Sequence, residues 1–159
     1  MSDSLPTLDD RKRAAAEAAV SQIRDGMRVG IGTGSTALFA IEALRHRVAQ
    51  GLRIEGVATS FATEAAALAA AIPMIELCPI DRIDLCIDGV DEIDSAFRAI
   101  KGAGGAMLRE KVVATAADRM IAIADMSKQV GRLGRGPVPV EVLPMAMALV
   151  SRAVRQLSG

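Results

Sequence analysis

Short apolar runs alternate with helical stretches along most of this 159-residue chain, and that alternation predicts an α/β fold, a mostly parallel sheet flanked by helices. Parallel strands cannot be joined by tight hairpins, so a helix must carry the chain back between them. A second observation agrees. The glycine-rich, acidic and lysine-bearing clusters all fall where the apolar runs end, which is where ligands sit on such a sheet. A third is size and charge: 159 residues with 24% charged side chains and no formal net charge fit a packed domain, or one domain and part of another at roughly 100–200 residues each. The 51% apolar content overstates the core, because 29 of those residues are alanine, which favours helices but buries little area.

Thr7 and Asp10 imitate a capping box ahead of an alanine-rich run, and Gly26 suits a helix C-terminus, so the first helix is expected over residues 8–25. Residues 27–31 form a short apolar strand that ends in a glycine-rich turn. Helical spacing returns over 36–50, followed by a strand at 53–58 and a second alanine-rich helix at 62–71. Residues 74–77 and 85–88 read as further strands, 105–117 as a helix and 120–124 as a strand. Gly131, Gly134, Gly136, Pro137 and Pro139 then mark a linker or domain border. Residues 137–142 suit an edge strand, since proline cannot donate to a ladder, and 144–157 a last helix. One strand and one helix cannot bury their own apolar faces, so this tail must pack on something else or belong to a second domain.

Several classes of function are excluded by composition. A balance of 19 basic against 19 acidic residues lacks the surplus cation of a nucleic-acid binder, and three Phe without Trp or Tyr make no base-stacking platform. No stretch reaches the roughly 18–20 apolar residues of a membrane span. The acidic N-terminus lacks the basic-then-apolar pattern of a signal peptide, which places the chain in the cytoplasm. Cys78 and Cys86 are too few for a disulfide scaffold, are not spaced as CxxC, and lie in apolar runs, so buried free thiols are expected. His46, between two arginines, reads as a helix surface residue.

Three clusters carry the chemistry. In Gly30-Ile-Gly-Thr-Gly-Ser-Thr-Ala37 the backbone allows close approach, and helix-opening N–H groups attract an anion. A phosphate or sugar phosphate suits this loop. Gly32-x-Gly34-x-x-Ala37, with Glu55 at the ribose spacing, also satisfies a dinucleotide fingerprint, and a turn without ligand remains a third reading. In Asp88-Gly-Val-Asp-Glu-Ile-Asp94 four carboxylates crowd a strand end, which suits polyol binding or proton transfer, a hard cation, or a solvated acidic turn. In Lys101-Gly-Ala-Gly-Gly-Ala106 a lysine precedes a turn opening a helix that carries Glu110. An ammonium and a helix N-terminal half both favour an ionised base, and Lys101 suits a developing oxyanion. Glu110 between Arg109 and Lys111 also fits a solvated helix face. Lys128 closes a further strand end and can meet an anion.

In this order, the clusters resemble ribose-5-phosphate isomerases of the A type. The matching stretches are Gly30 to Thr36, Ala58-Thr-Ser60, Ile87 to Glu92, Lys101 to Ala106 with Arg109-Glu-Lys111, Ile123 to Lys128, and Pro137 to Val142. The resemblance runs from Leu8 onward. It implies a Rossmann-like catalytic domain over 1–133 and, over 134–159, one strand and one helix of a small α+β lid that family members continue. It further implies a metal-independent aldose–ketose isomerase, without cofactor, that interconverts D-ribose 5-phosphate and D-ribulose 5-phosphate through an enediolate. Glu110 would move the proton, Lys101 would stabilise the oxyanion, and Asp88 and Asp91 would bind hydroxyls and assist ring opening. Thr33, Gly34, Ser35, Thr36, Gly102, Ala103 and Gly104 would line the substrate site, with Lys128 and Lys12 at the phosphate. Ala103 stands where the family usually has glycine. The implied partners are a small sugar phosphate and further copies of the chain, as a dimer or tetramer, with neither nucleic acid nor membrane. The alternatives are a non-catalytic sugar-phosphate sensor of related fold and an inactive, shortened isomerase.

Overall fold

The computed structural model describes residues 5–78 and 80–157; residues 1–4 and 158–159, the outer ends of the two expected segments, lie outside the described residues. Helix α1 (Leu8–Val20) opens on the expected capping box, with the Thr7 hydroxyl accepting the Asp10 N–H and the Asp10 carboxylate accepting the Thr7 N–H. It stops at Val20 rather than near residue 25. Ser21 turns its hydroxyl onto the Ala18 carbonyl, and Gly26 (φ +81°) makes the turn into the sheet instead of ending the helix.

Four strands, β1 (Arg28–Ile31), β2 (Glu55–Ala58), β3 (Leu85–Gly89) and, later in the chain, β6 (Met120–Ile123), form one parallel sheet in the order β2-β1-β3-β6. Helices α2 (Ser35–Ala49), α3 (Phe61–Ala69) and α4 (Met107–Ala116) are the crossovers. The period-two alternation of the strands sorts the core into two layers. Val29 and Ile31 of β1, with Leu85 and Ile87 of β3, pack with Val20 and Ile23 from the α1 end and Ile41 and Leu44 of α2. On the other face Val57 and Cys86 meet Val113 of α4. Gly30 belongs to that second face, where a Cβ would stand 2.7 Å from the Val113 side chain, so α4 packs against bare backbone.

Four further expectations change. Residues 74–77 are not a strand: Met74 makes a single bridge to Gly56, and the chain then leaves the sheet so that Ile75 and Leu77 pack on the Val57–Val113 cluster. Residues 137–142 are extended but unpaired, since Pro137 and Pro139 offer no N–H and no neighbouring strand reaches them among the described residues. Cys78 is exposed, at the end of that departing segment, whereas Cys86 is buried as expected. A small antiparallel hairpin, β4 (Glu92–Ile93) and β5 (Ala99–Ile100), stands between β3 and α4 where the sequence leads to no expectation of strands. The last helix, α5 (Met147–Leu157), follows a 3-10 turn at Pro144–Ala146 and buries none of its residues. His46 lies on the open side of α2, with its side chain 63% exposed.

Candidate functional site

In the order β2-β1-β3-β6 the chain leaves β1 toward one edge and β3 toward the other, so the switch point lies between these two strands. At their carboxyl ends is a cleft of about 230 Å³. Thr33, Gly34, Ser35 and Thr36 line it from the β1–α2 turn, and Gly89, Val90 and Asp91 from the end of β3. Lys101, Gly102 and Gly104 come from the loop after β5, Glu110 from α4, Lys12 from α1 and Lys128 from the turn after β6. Eleven of the thirteen expected site residues therefore meet in one place: Glu110, Asp91, Lys101, Thr33, Gly34, Ser35, Thr36, Gly102, Gly104, Lys128 and Lys12. Asp88 lies beneath the lining, 1% exposed. Ala103 does not line the cleft: it is exposed, and its N–H is turned to the Asp91 carboxylate at 2.9 Å. Its methyl group therefore does not crowd the cleft.

The turn opening α2 is built to face an anion. Gly34 adopts φ +105°, a conformation that side-chain-bearing residues avoid, and no side chain caps the helix. The first N–H groups of a helix have no partner within it. Lys12 donates to the Ser35 hydroxyl at 3.2 Å, which brings an ammonium beside that helix end. Thr33, in contrast, uses its hydroxyl inward, 2.7 Å from the Thr59 hydroxyl.

The acidic cluster divides by partner. Asp88 accepts the Thr33 N–H at 3.2 Å and the Gly89 N–H at 2.7 Å through one oxygen, and its other oxygen stands 2.8 Å from Lys101 Nζ. Asp91 pins the lysine loop through Ala103. Glu92 accepts the backbone N–H groups of Gly134, Arg135 and Gly136, which hold its pKa below the ordinary value. Asp94 accepts from Ala96 and Arg98 within the hairpin, and the Arg98 guanidinium lowers its pKa. All four carboxylates thus hold backbone in place, and Asp88 alone among them also faces Lys101. Among the described residues no three His, Cys, Asp or Glu side chains form a group that could hold a metal ion.

Lys101 also stands 3.5 Å from Glu110 Oε2 and donates to the Gly89 carbonyl. Glu110 is 5% exposed, which removes the solvated-face reading. Its pKa is raised, first by burial and then by the Asp88 charge, with Lys101 opposing both. The ammonium and helix end expected to favour the carboxylate are outweighed. Burial likewise raises Asp88 against the pull of Lys101. Asp88 Oδ2 and Glu110 Oε2 are buried with no partner besides Lys101, which balances both. Burial, with the Asp88 charge, pushes the Cys86 thiol up to about 12, so it is inert packing.

The family model for ribose 5-phosphate isomerase A (phosphoriboisomerase A) matches residues 55–159. The chain belongs to the ribose 5-phosphate isomerase A family. It is 55% identical over 148 residues to the Sphingopyxis alaskensis ribose-5-phosphate isomerase A, covering 93% of this chain and 65% of that protein. It is 52% identical over 150 residues to the one from Nitrobacter hamburgensis, covering 94% of this chain and again 65% of the relative. The chain thus spans slightly less than two thirds of these relatives' length. A solved ribose 5-phosphate isomerase A from Neisseria gonorrhoeae superposes with a TM-score of 0.91 at 42% identity, covering 96% of this chain and 68% of that one.

Within this family frame, several cleft residues were not anticipated. Leu8, Gly89, Val90, Asp125 and Ser127 line it as well. Asp125 accepts the Ser127 N–H at 2.8 Å, and the Ser127 hydrogen bonds, with Lys128 nearby, keep its pKa low. The legible signal for Asp125 is its place directly after the Met120–Ile123 strand, the same strand end that carries Lys128. Glu141 was also missed. It accepts the Leu108 N–H in the first turn of α4, a bond between distant segments that no local pattern announces.

Proposed function

We propose that this chain provides the catalytic machinery of an aldose–ketose isomerase that interconverts D-ribose 5-phosphate and D-ribulose 5-phosphate. The observation that carries this reading is Glu110, a buried carboxylate 3.5 Å from an ammonium, in the same cleft as an uncapped helix end with Lys12 beside it. A proton next to a carbonyl is removed only by a positioned base with a cation or donor at the oxygen. Glu110 takes the proton from C2 of the open-chain aldose and returns it to C1, while the hydroxyl proton passes from O2 to O1. Lys101 steadies the enediolate oxygen. Asp91 meets sugar hydroxyls, and Asp88 acts from beneath by holding Lys101 and the Thr33 N–H. Gly34, Ser35, Thr36, Lys12 and Lys128 hold the phosphate and so anchor the sugar in the cleft. Gly102 and Gly104 flank the sugar. Residues 1–133 form the catalytic part, 134–159 contribute to a lid, and the working form is a cytoplasmic homo-oligomer.

The test is an isomerase assay on the full chain and on Glu110→Gln, each with and without excess EDTA. Loss of the base is expected to lower kcat by about 10²–10⁴-fold, with KM little changed. Activity of the parent is expected to persist in the chelator. A Glu110→Gln variant that turns over like the parent would falsify the assignment, and chelator-sensitive turnover restored by magnesium would return the acidic cluster to the cation reading.

A further inference from the structure

The stretch Ala58-Thr59-Ser60 ends β2 and leads into α3, and neither it nor the Thr63 that follows touches the cleft. Thr59 and Thr63 are nevertheless buried, 0% and 4% exposed, and a buried hydroxyl needs a partner. Following the protons gives each of them one. The Thr59 hydroxyl donates to the Ile31 carbonyl at 3.1 Å, and the Thr63 hydroxyl donates to the Gly32 carbonyl at 2.9 Å. Ser60 donates its hydroxyl proton to Thr63 at 2.9 Å and accepts the Thr63 N–H as helix cap. With the Thr59 proton engaged, Thr33 must be the donor in its 2.7 Å contact with Thr59.

The result is a pair of consecutive peptide groups held at both ends. In the Ile31–Gly32 peptide the carbonyl is taken by Thr59 and the N–H by the Ile87 carbonyl. In the Gly32–Thr33 peptide the carbonyl is taken by Thr63 and the N–H by Asp88. These two peptides set the direction in which the chain enters Gly34 and α2, and hence where the helix-opening N–H groups point.

We propose that Thr63 is a positioning residue for substrate phosphate: by fixing the Gly32 carbonyl it aims the β1–α2 turn at the anion. This inference rests on the sugar-phosphate reading of the cleft. Thr63 touches neither the sugar nor Glu110, so its contribution is to binding rather than to proton transfer. Asp88 retains Gly89 and Lys101 when Thr63 changes, so the proton-transfer groups keep their supports.

Thr63→Val keeps the shape and removes the hydroxyl, leaving the Gly32 carbonyl buried without a donor. KM for ribose 5-phosphate is expected to rise about tenfold with kcat within about twofold, the pattern of lost binding that is uniform between ground and transition state. Inorganic phosphate, titrated calorimetrically, is expected to bind about tenfold more weakly, and Thr63→Ser to restore both values. If Thr63→Val does not fold, Thr63→Ala, which leaves space instead of a methyl group, carries the same expectation. Unchanged KM and unchanged phosphate affinity, or a fall in kcat alone, would overturn the proposal; so would failure of the serine variant to rescue. A parent chain that binds phosphate while the variant binds it equally well refutes the role of Thr63 alone. A parent chain that neither isomerises nor binds phosphate refutes the sugar-phosphate reading, and the proposal with it.

Discussion

Lys101 shows how one side chain sets the electrostatics of the site. Two buried carboxylates, Asp88 and Glu110, face its ammonium at 2.8 and 3.5 Å, and neither of the oxygens concerned has a partner besides Lys101. Substituting Lys101→Met leaves both buried carboxylates without their cation. Breaking a buried pair costs about 3–5 kcal/mol, and because Lys101 is itself a quarter exposed the low end, about 3 kcal/mol at neutral pH, is expected. The pH dependence has a definite sign. Both carboxylates already have raised folded pKa values, and removing the cation raises them further. A group whose pKa is higher folded than unfolded favours the fold at low pH and loses that contribution as pH rises through the folded value. The deficit of Lys101→Met should therefore grow between pH 5 and pH 8 when measured by urea unfolding; an equal deficit at both would show that the pair is not what the lysine balances. Glu110 is legible in the sequence as a candidate base beside the solvated-face reading, but its burial is not. Glu110 sits between Arg109 and Lys111, and the signal that it turns inward is its three-residue spacing from Val113, the other buried residue of α4.

Among the secondary elements, the most constrained is the turn between β1 and α2. Gly32 lies against β3 so closely that a Cβ would come within 2.6 Å of the Asp88 backbone as well as striking its carboxylate. Neither can yield, because Asp88 is tied to Thr33, Gly89 and Lys101. Gly32→Ala is expected to cost about 3 kcal/mol in thermal or urea unfolding, by forcing β1 and β3 apart at their ends. A loss below 1 kcal/mol would mean that the turn is looser than its hydrogen bonds suggest. This turn, the four parallel strands and the helices between them are legible in the sequence, because each has enough residues to show as an apolar run or a helical spacing. The β4–β5 hairpin is not, since its two-residue strands are too short for alternation and its turn is organised by Asp94 accepting the Ala96 and Arg98 N–H groups. Apolar content alone also predicts strands at 74–77 and 137–142, because it does not reveal whether a neighbour is within reach. Most residues around the cleft are legible near strand ends, whereas Lys12 on α1 comes only from the resemblance and Leu8, Gly89, Val90, Asp125 and Ser127 are not anticipated. The hydroxyl ladder through Thr59 and Thr63 is not legible at all, since its partners are carbonyls 28 and 31 residues away.

Across the chain, the attachment of the last segment depends on two carboxylates. Glu92, on the hairpin, accepts three N–H groups from residues 134–136, and Glu141 accepts the Leu108 N–H at the start of α4. Beyond these points little apolar burial helps: Leu143, Met145, Met147 and Leu149 are 61–93% exposed. Such a segment should open locally long before the sheet does. Glu92→Gln tests this, because both Glu92 oxygens accept and the amide would present a donor to one set of N–H groups. Trypsin cleavage after Arg132 and Arg135 is expected to accelerate by about tenfold or more, while hydrogen exchange in β1 and β3 stays as in the parent. Acid should act in the same direction. The Glu92 pKa is lowered in the fold, so the clamp is present at neutral pH and is lost as pH falls below the usual carboxylate range through the folded value. Cleavage of the variant at the parental rate would show that the segment is held by something other than these bonds. Because Glu92 follows Asp91 directly, and Asp91 pins the loop after Lys101, a loosened clamp would be felt in the cleft as well. Residues 134–136 and the loop after Lys101 are then joined through two adjacent carboxylates.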